Sequence, residues 1–232
     1  MPGILIINKP SGMTSHDVVD AVRRITGEQR VGHAGTLDPF ATGVLVVGVG
    51  REATKALGSI TTGTMKKYRA TVRLGATSET GDPEGPVTER EDVTPPKRSD
   101  IQKALQSFTG TIQQTPPAYS SIKVGGVKSY DRARRGETVQ LEPREVTIHE
   151  LSIVRYAWPE LVIDVVCSSG TYIRVLAADI GEKLGVGGYC AALERTAVGT
   201  YTIQMARTLK ELEQNWQKAM LPVPRTPPSL HL

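Results

Sequence analysis

A chain of 232 residues, 39% hydrophobic and 22% charged, can bury a substantial core in one large domain or two small ones. Its formal net charge of +4 permits a polyanionic partner without requiring one. Two cysteines outside any CxxC motif, no basic leader before an apolar run, and no stretch near the ~20 apolar residues of a membrane span set aside disulfide scaffolds, secreted proteins and membrane proteins, leaving a reduced, cytoplasmic protein as the expectation.

ILIINKP (4–10) reads as a short buried strand stopped by Pro10. SGMTSHDVVDAVRRITG reads as a turn and a helix, with Ser15 as N-cap, Val18, Val19, Val22 and Ile25 as the apolar stripe, and Gly27 at the C-terminus. GVLVVGVG is a buried strand and REATKALGSITT a helix. KKYRATVRLGATSET alternates at Tyr68, Ala70, Val72 and Leu74, the period of a strand. The acidic, turn-rich SETGDPEGPVTEREDVTPPKRS reads as a surface loop, and DIQKALQSFTG as a helix capped by Asp100. TIQQTPPAYSSIKVGGVKSYDRARRGETV is irregular and basic. EVTIHELSIVRYAWPELVIDVVCSSGTYIRVL holds three strand-like runs; IRVLAADIGEKLG and TLKELEQNWQKA are helices. LPVPRTPPSLHL, with four prolines, is not expected to fold on its own. Strands and helices mix without a βαβ rhythm, which predicts an α+β fold with a mixed sheet.

The chemical signals are few. GVGREA (48–53) fits the dinucleotide-binding pattern between a strand and a helix, but the following region, MKKYRA, is basic where an acid is needed for the ribose. His16, His33, His149 and His231 show no metal-ligand spacing, and no G-x-S-x-G elbow is present. Asp38 is different. It is the lone acid in GHAGTLDPFATGVLVVGVG, among small and hydrogen-bonding residues, and Pro39 biases its backbone away from helical angles. Asp-Pro alone is a turn or cap; a poorly hydrated carboxylate fixed there can also be a nucleophile. Such a carboxylate needs a counter-charge, and Arg174 in SSGTYIRVL offers one, although by position alone it reads as a solvated arginine.

NKPSGMTS, RVGHAGTLDPFATGVLVVGVGREATK, KKYRATVRLGATSETGD, PPAYSSIKVGGVKSYDRAR and CSSGTYIRVLAADIGEKLG occur in this order. Together they resemble the TruB family of tRNA pseudouridine synthases over residues 3–210, and the HAGTLDPFATG block carries most of the specificity. The resemblance implies a largely antiparallel mixed sheet flanked by helices and the isomerisation of a T-loop uridine, position 55, in the T-arm of tRNA, without metal or cofactor. It makes Asp38 the nucleophile, acting at C6 of the base or C1′ of the ribose, with Arg174 as its ion-pair partner. Tyr68 would stack on the flipped base and accept or relay the C5 proton. His33 would help the base out of its stack, and Asp82, Tyr172 and Leu193 would line the uracil pocket. Lys123, Lys128, Arg132, Arg134 and Arg135 crowd one stretch and become the RNA-gripping segment. Members of this family usually continue into a small C-terminal RNA-binding domain. The expectation here is a catalytic domain over 1–215, a proline-rich tail over 216–232 and no such domain, in a monomeric protein. A non-catalytic RNA-binding or RNA-folding protein on the same fold is the alternative, and the presence of Asp38, Tyr68 and Arg174 counts against it.

Overall fold

The computed structural model describes residues 2–61, 63–117, 120, 123–129, 132, 135, 137 and 141–224. In chain order the elements are β1 (Gly3–Lys9), α1 (Ser15–Thr26), β2 (Val31–Ala34), β3 (Thr42–Val49), α2 (Arg51–Thr61), β4 (Lys66–Leu74), β5 (Ala76–Ser78), β6 (Val87–Glu89), α3 (Arg98–Gln106) and β7 (Gly110–Gln114). There follow β8 (Lys123–Val124), β9 (Val127–Lys128), β10 (Arg144–Ala157), β11 (Glu160–Cys167), α4 (Ile173–Lys183), β12 (Gly188–Val198), β13 (Tyr201–Thr202), a 3₁₀ turn (Ile203–Met205) and α5 (Leu209–Ala219). The fold is α+β with a mixed sheet flanked by helices, as the sequence predicts. The chain divides into two compact units: Met1–Arg69 with Val165–Ser169 and Ala192–Leu232, and Ala70–Asp164 with Gly170–Ala191.

The first unit is built around β3. β1 runs antiparallel along one edge, from Gly3↔Val49 to Lys9↔Gly43. The other edge takes β12, parallel at Glu194↔Thr42 and Arg195↔Gly43, and then β2, antiparallel from Val31↔Val49 to Ala34↔Val46. Both faces of β1 and β3 are covered, so the two strands read as unbroken apolar runs. Ile4, Ile6, Val44 and Val46 pack against Ala53, Leu57 and Ile60 of α2, while Leu5, Ile7, Leu45 and Val47 meet Val18, Val19 and Val22 of α1 and Leu212 of α5. Gly48, the first glycine of GVGREA, belongs to this packing: a Cβ there would lie 3.0 Å from the Ala53 main chain and 3.2 Å from Leu57. That close helix–strand approach accounts for the glycine without a dinucleotide.

The second unit carries the order β4-β11-β10-β7, with β10 and β7 antiparallel from Arg144↔Gln114 to Ile148↔Gly110. Beside it lie the β5–β6 hairpin and the helices α3 and α4. No helix among the described residues is long and apolar enough to cross a membrane.

Several local expectations are corrected. Thr14, not Ser15, caps α1: its hydroxyl accepts from Asp17 N while Asp17 accepts from Thr14 N, a capping box. α3 begins at Arg98 behind Lys97, which gives no side-chain cap, so Asp100 is inside the helix. The acidic loop after β4 contains the β5–β6 hairpin, and the three strand-like runs are two strands, β10 and β11, with Ile173 already in the following helix. The start of the proline-rich tail is anchored: Ile4 and Leu221 exchange main-chain hydrogen bonds at 2.8 Å in both directions. β12 has no counterpart in the sequence reading.

Candidate active site

Asp38 opens a β-turn. Ala41 N donates to Asp38 O at 3.1 Å, and Pro39, with its φ set by the ring, takes the second position. The residues around it are pinned individually. Ser15 Oγ donates to Leu37 O at 3.0 Å and accepts from Leu37 N at 2.9 Å. Ser11 Oγ donates to Phe40 O at 3.0 Å, and Gly12 N to Pro39 O at 2.9 Å. Lys9 is fully buried, and its ammonium donates to Pro10 O at 2.8 Å, Met13 O at 2.6 Å and Pro39 O at 3.1 Å. The KPSGMTS segment is thus a cradle for the Asp38 turn. Ser15 is legible in the sequence as a cap, but its work is to hold Leu37.

The far side of the turn is held by β12. Thr42 Oγ1 donates to Leu193 O at 3.3 Å. Arg195, 1% exposed, donates from Nε to Val44 O and from Nη2 to Gly35 O, both at 2.8 Å. Gly43 lies against the Arg195 main chain with φ +98°, and a Cβ there would fall 2.3 Å from Arg195 O, so this crossing requires glycine.

Tyr68 and Lys66 sit two residues apart on β4, both buried. Burial pushes the Tyr68 hydroxyl up to about 12, with the Arg195 charge opposing the rise and the nearby Asp38 carboxylate adding to it. Burial, reinforced by Arg195, brings the Lys66 ammonium down to about 8. His33 on β2 is lowered below the usual imidazole value, first by burial and then by Arg195 and His16, so its ring is neutral at pH 7. Its Nδ1 is buried without a hydrogen-bond partner among the described residues. The first unit therefore gathers four of the expected site residues, His33, Asp38, Tyr68 and Leu193, and adds three that sequence reasoning missed: Lys9, Lys66 and Arg195.

The second unit holds Asp82, Tyr172 and Arg174. Arg174 is 5% exposed, not the solvated arginine its position suggests. Its Nη1 donates to Asp82 Oδ2 at 2.9 Å and to Thr80 O at 2.8 Å. The Asp82 Oδ1 atom accepts from Thr80 Oγ1 at 2.6 Å and Glu84 N at 3.1 Å. Asp82, expected on a surface loop, is buried in this network. Tyr172 is the residue preceding α4, and its main chain is gripped by the buried Gln114: Tyr172 N donates to Oε1 at 2.7 Å and Nε2 donates to Tyr172 O at 3.1 Å. Of the basic stretch, Lys123 and Lys128 pair across the β8–β9 hairpin. Arg132 and Arg135 share Glu137, at 3.7 and 2.9 Å. Arg134 lies outside the described residues. No group of three or more His, Cys, Asp or Glu among the described residues is placed to hold a metal ion.

The fold places the chain in the class represented by the solved Cbf5-Nop10-Gar1 complex, with a TM-score of 0.76, 26% identity, and coverage of 95% of this chain and 60% of that one. A Nop10-Cbf5 complex of the archaeal box H/ACA sRNP aligns with a TM-score of 0.72 at 25% identity, again over 60% of the solved chain. The sequence matches the TruB family pseudouridylate synthase N-terminal domain over residues 23–173 and the tRNA pseudouridylate synthase B C-terminal domain over 174–222. A tRNA pseudouridine synthase B from Thermobifida fusca is 50% identical over 218 residues, 90% of this chain and 74% of the relative. One from Mycobacterium tuberculosis is 48% identical over 217 residues, 92% and 72%. The chain belongs to the TruB family of pseudouridylate synthases.

Proposed function

We propose that this protein is a tRNA pseudouridine synthase that converts the T-loop uridine at position 55 into pseudouridine. The reading is carried by Asp38, a carboxylate on a turn whose flanking carbonyls at Gly35, Leu37, Pro39 and Phe40 are each held by a hydrogen bond. That is how a scaffold fixes a nucleophile to within the tolerance that catalysis needs.

The reaction is an isomerisation and balances without a co-reactant. The N1–C1′ bond breaks, the base turns, a C5–C1′ bond forms, C5 gives up its proton and N1 gains one. The base must leave its stack first, at a cost of a few kcal/mol that contacts with the protein offset. Tyr68 stacks on it, a contact worth about 1–3 kcal/mol. With its hydroxyl pushed up to about 12, Tyr68 stays a neutral phenol at working pH. It therefore moves the C5 proton as a relay, passing on its own proton as it accepts one. Asp38 forms a covalent bond to the substrate, at C6 of the base or C1′ of the ribose, and that bond breaks again as the product forms, returning the free carboxylate; Arg174 supplies the counter-charge that keeps it ionised. His33 contacts the RNA and helps the target base out of its stack. Tyr172 and Leu193 line the uracil pocket, and Asp82 is a polar residue of the same pocket. The stretch from Lys123 to Arg135 grips phosphates of the T-arm.

The test is to incubate the protein with an unmodified tRNA transcript and map pseudouridine by carbodiimide adducts and primer extension. A stop at the T-loop uridine supports the reading; a tRNA left unmodified after many enzyme equivalents contradicts it.

A further inference from the structure

Gln114 closes β7, where the sheet fixes its main chain opposite Arg144. It is 2% exposed, and its carboxamide grips one residue 58 positions along the chain. Tyr172 N donates to Oε1 at 2.7 Å, and Nε2 donates to Tyr172 O at 3.1 Å. The same carbonyl accepts from Leu176 N at 3.1 Å, in the first turn of α4. Tyr172 stands where a helix favours Ser, Thr, Asp or Asn as its cap, and its side chain makes no capping bond. The start of α4 is therefore fixed from outside, by a side chain of β7. Two residues on, Arg174 is held at its tip, where Nη1 donates to Asp82 Oδ2 and Thr80 O. Gln114 holds the root of that short segment and Asp82 its end.

Tyr172 offers one N–H and one C=O, and a carboxamide carries the acceptor and the donor that match them. A carboxylate matches the N–H but sets its lone pairs against the carbonyl. An apolar side chain matches neither, and both buried groups then lose a partner at a desolvation cost. We propose that Gln114 is a positioning residue: its carboxamide fixes the Tyr172 main chain and the start of α4, and so sets how Tyr172 and Arg174 are presented to the uridine. This assignment rests on the proposed function, in which Tyr172 and Arg174 serve the isomerisation, and it gives Gln114 no contact with substrate.

The test uses the full chain and unmodified tRNA. Single-turnover rates are measured at enzyme excess, well below the thermal midpoint of each variant, and tRNA binding by filter retention. Gln114→Met, similar in length, slows the single turnover about 100-fold, the scale of an ångström-sized misplacement, while the Kd for tRNA stays within about threefold. Gln114→Glu is as slow at pH 8. Its new carboxyl is buried against the Tyr172 carbonyl, so it takes a proton more readily than an exposed one, and once protonated it donates to Tyr172 O while still accepting from Tyr172 N. The rate of Gln114→Glu relative to wild type at the same pH therefore rises at least about fivefold from pH 8 to about pH 5.5, and that of Gln114→Met stays flat. A role in folding alone lowers the thermal midpoint and leaves the folded variants at the wild-type rate. That result overturns the proposal, as does a Gln114→Glu ratio as flat as that of Gln114→Met, or a loss seen in Kd alone. If Gln114→Met does not fold, Gln114→Asn takes its place, because its amide is one methylene too short to reach both groups. Failure of the functional reading is seen separately: a wild type that binds tRNA and forms no pseudouridine. In that case hydrogen exchange decides for Gln114: faster exchange of a peptide spanning 170–178 in Gln114→Met, with the α1 peptide unchanged, supports the grip, and unchanged exchange at 170–178 removes it.

Discussion

Lys9 Nζ and Pro39 O are 3.1 Å apart, so the residue next to Asp38 is held by an ammonium that is wholly buried. Hydrogen bonds to charged groups contribute about 1.5–3 kcal/mol each, and a carbonyl that loses one indoors is left with its desolvation cost. Lys9→Met should lower unfolding free energy by about 3 kcal/mol in urea melts and slow turnover more than it weakens tRNA binding. Unchanged stability would mean that the KPSGMTS cradle holds nothing.

Tyr68 and Lys66 give opposite pH signatures. The Tyr68 hydroxyl is raised from 10.0 to about 12, so the neutral form stabilises the fold below pH 10 and that contribution fades as pH rises towards 12. Lys66 is lowered from 10.5 to about 8, so the unfolded chain holds more protons between those values and stability from this group rises across that window. Lys66→Met should therefore be more stable than wild type at pH 7, by up to about 3 kcal/mol, and lose the advantage by pH 10.5. A gap that does not shrink with pH would show that Lys66 acts through packing.

Arg174→Met strands Asp82, 3% exposed, without its cation. Breaking a buried pair in this way costs about 3–5 kcal/mol, and under the proposed role of Arg174 as a catalytic counter-charge the turnover should fall at least a hundredfold. Arg174→Lys should recover part of both, since Lys cannot replace the planar fork. Thermal melts and single-turnover rates on the same preparations separate the two effects. Near-normal turnover in Arg174→Met would remove the counter-charge role.

Much of this was legible because it was local. The apolar runs of β1 and β3, the alternation of β4 and the lone acid before a proline can each be read within ten residues. What stayed hidden depends on partners far along the chain. Arg195 meets Val44 and Gly35 across 151 and 160 residues, and in ALERTAV nothing marks it as buried. Arg174 meets Asp82 across 92 residues, which is why a turn position made it look solvated. Ser15 and Thr14 are equally good caps by type; only the Leu37 main chain, 22 residues on, decides between them.

The shared acid of the basic stretch gives a test of RNA grip. Glu137 engages both Arg132 and Arg135. Glu137→Gln should release two cations, tighten tRNA binding and steepen log Kd against log salt, each new phosphate contact adding roughly 0.7–0.9 to the slope. Replacing Arg132 and Arg135 with glutamine should flatten it. Equal slopes in all three proteins would place the RNA elsewhere.

Asp38→Asn separates the proposed nucleophile from the scaffold that holds it, because the amide keeps the shape and removes the charge. Wild type and variant are incubated with unmodified tRNA transcript at enzyme excess, pseudouridine at the T-loop is quantified, and binding is measured in parallel. The account predicts pseudouridine from wild type, less than about a thousandth of that rate from Asp38→Asn, and a Kd within a few-fold, the loss expected when a covalent catalyst is removed. Turnover by Asp38→Asn above that level, with binding intact, would contradict it.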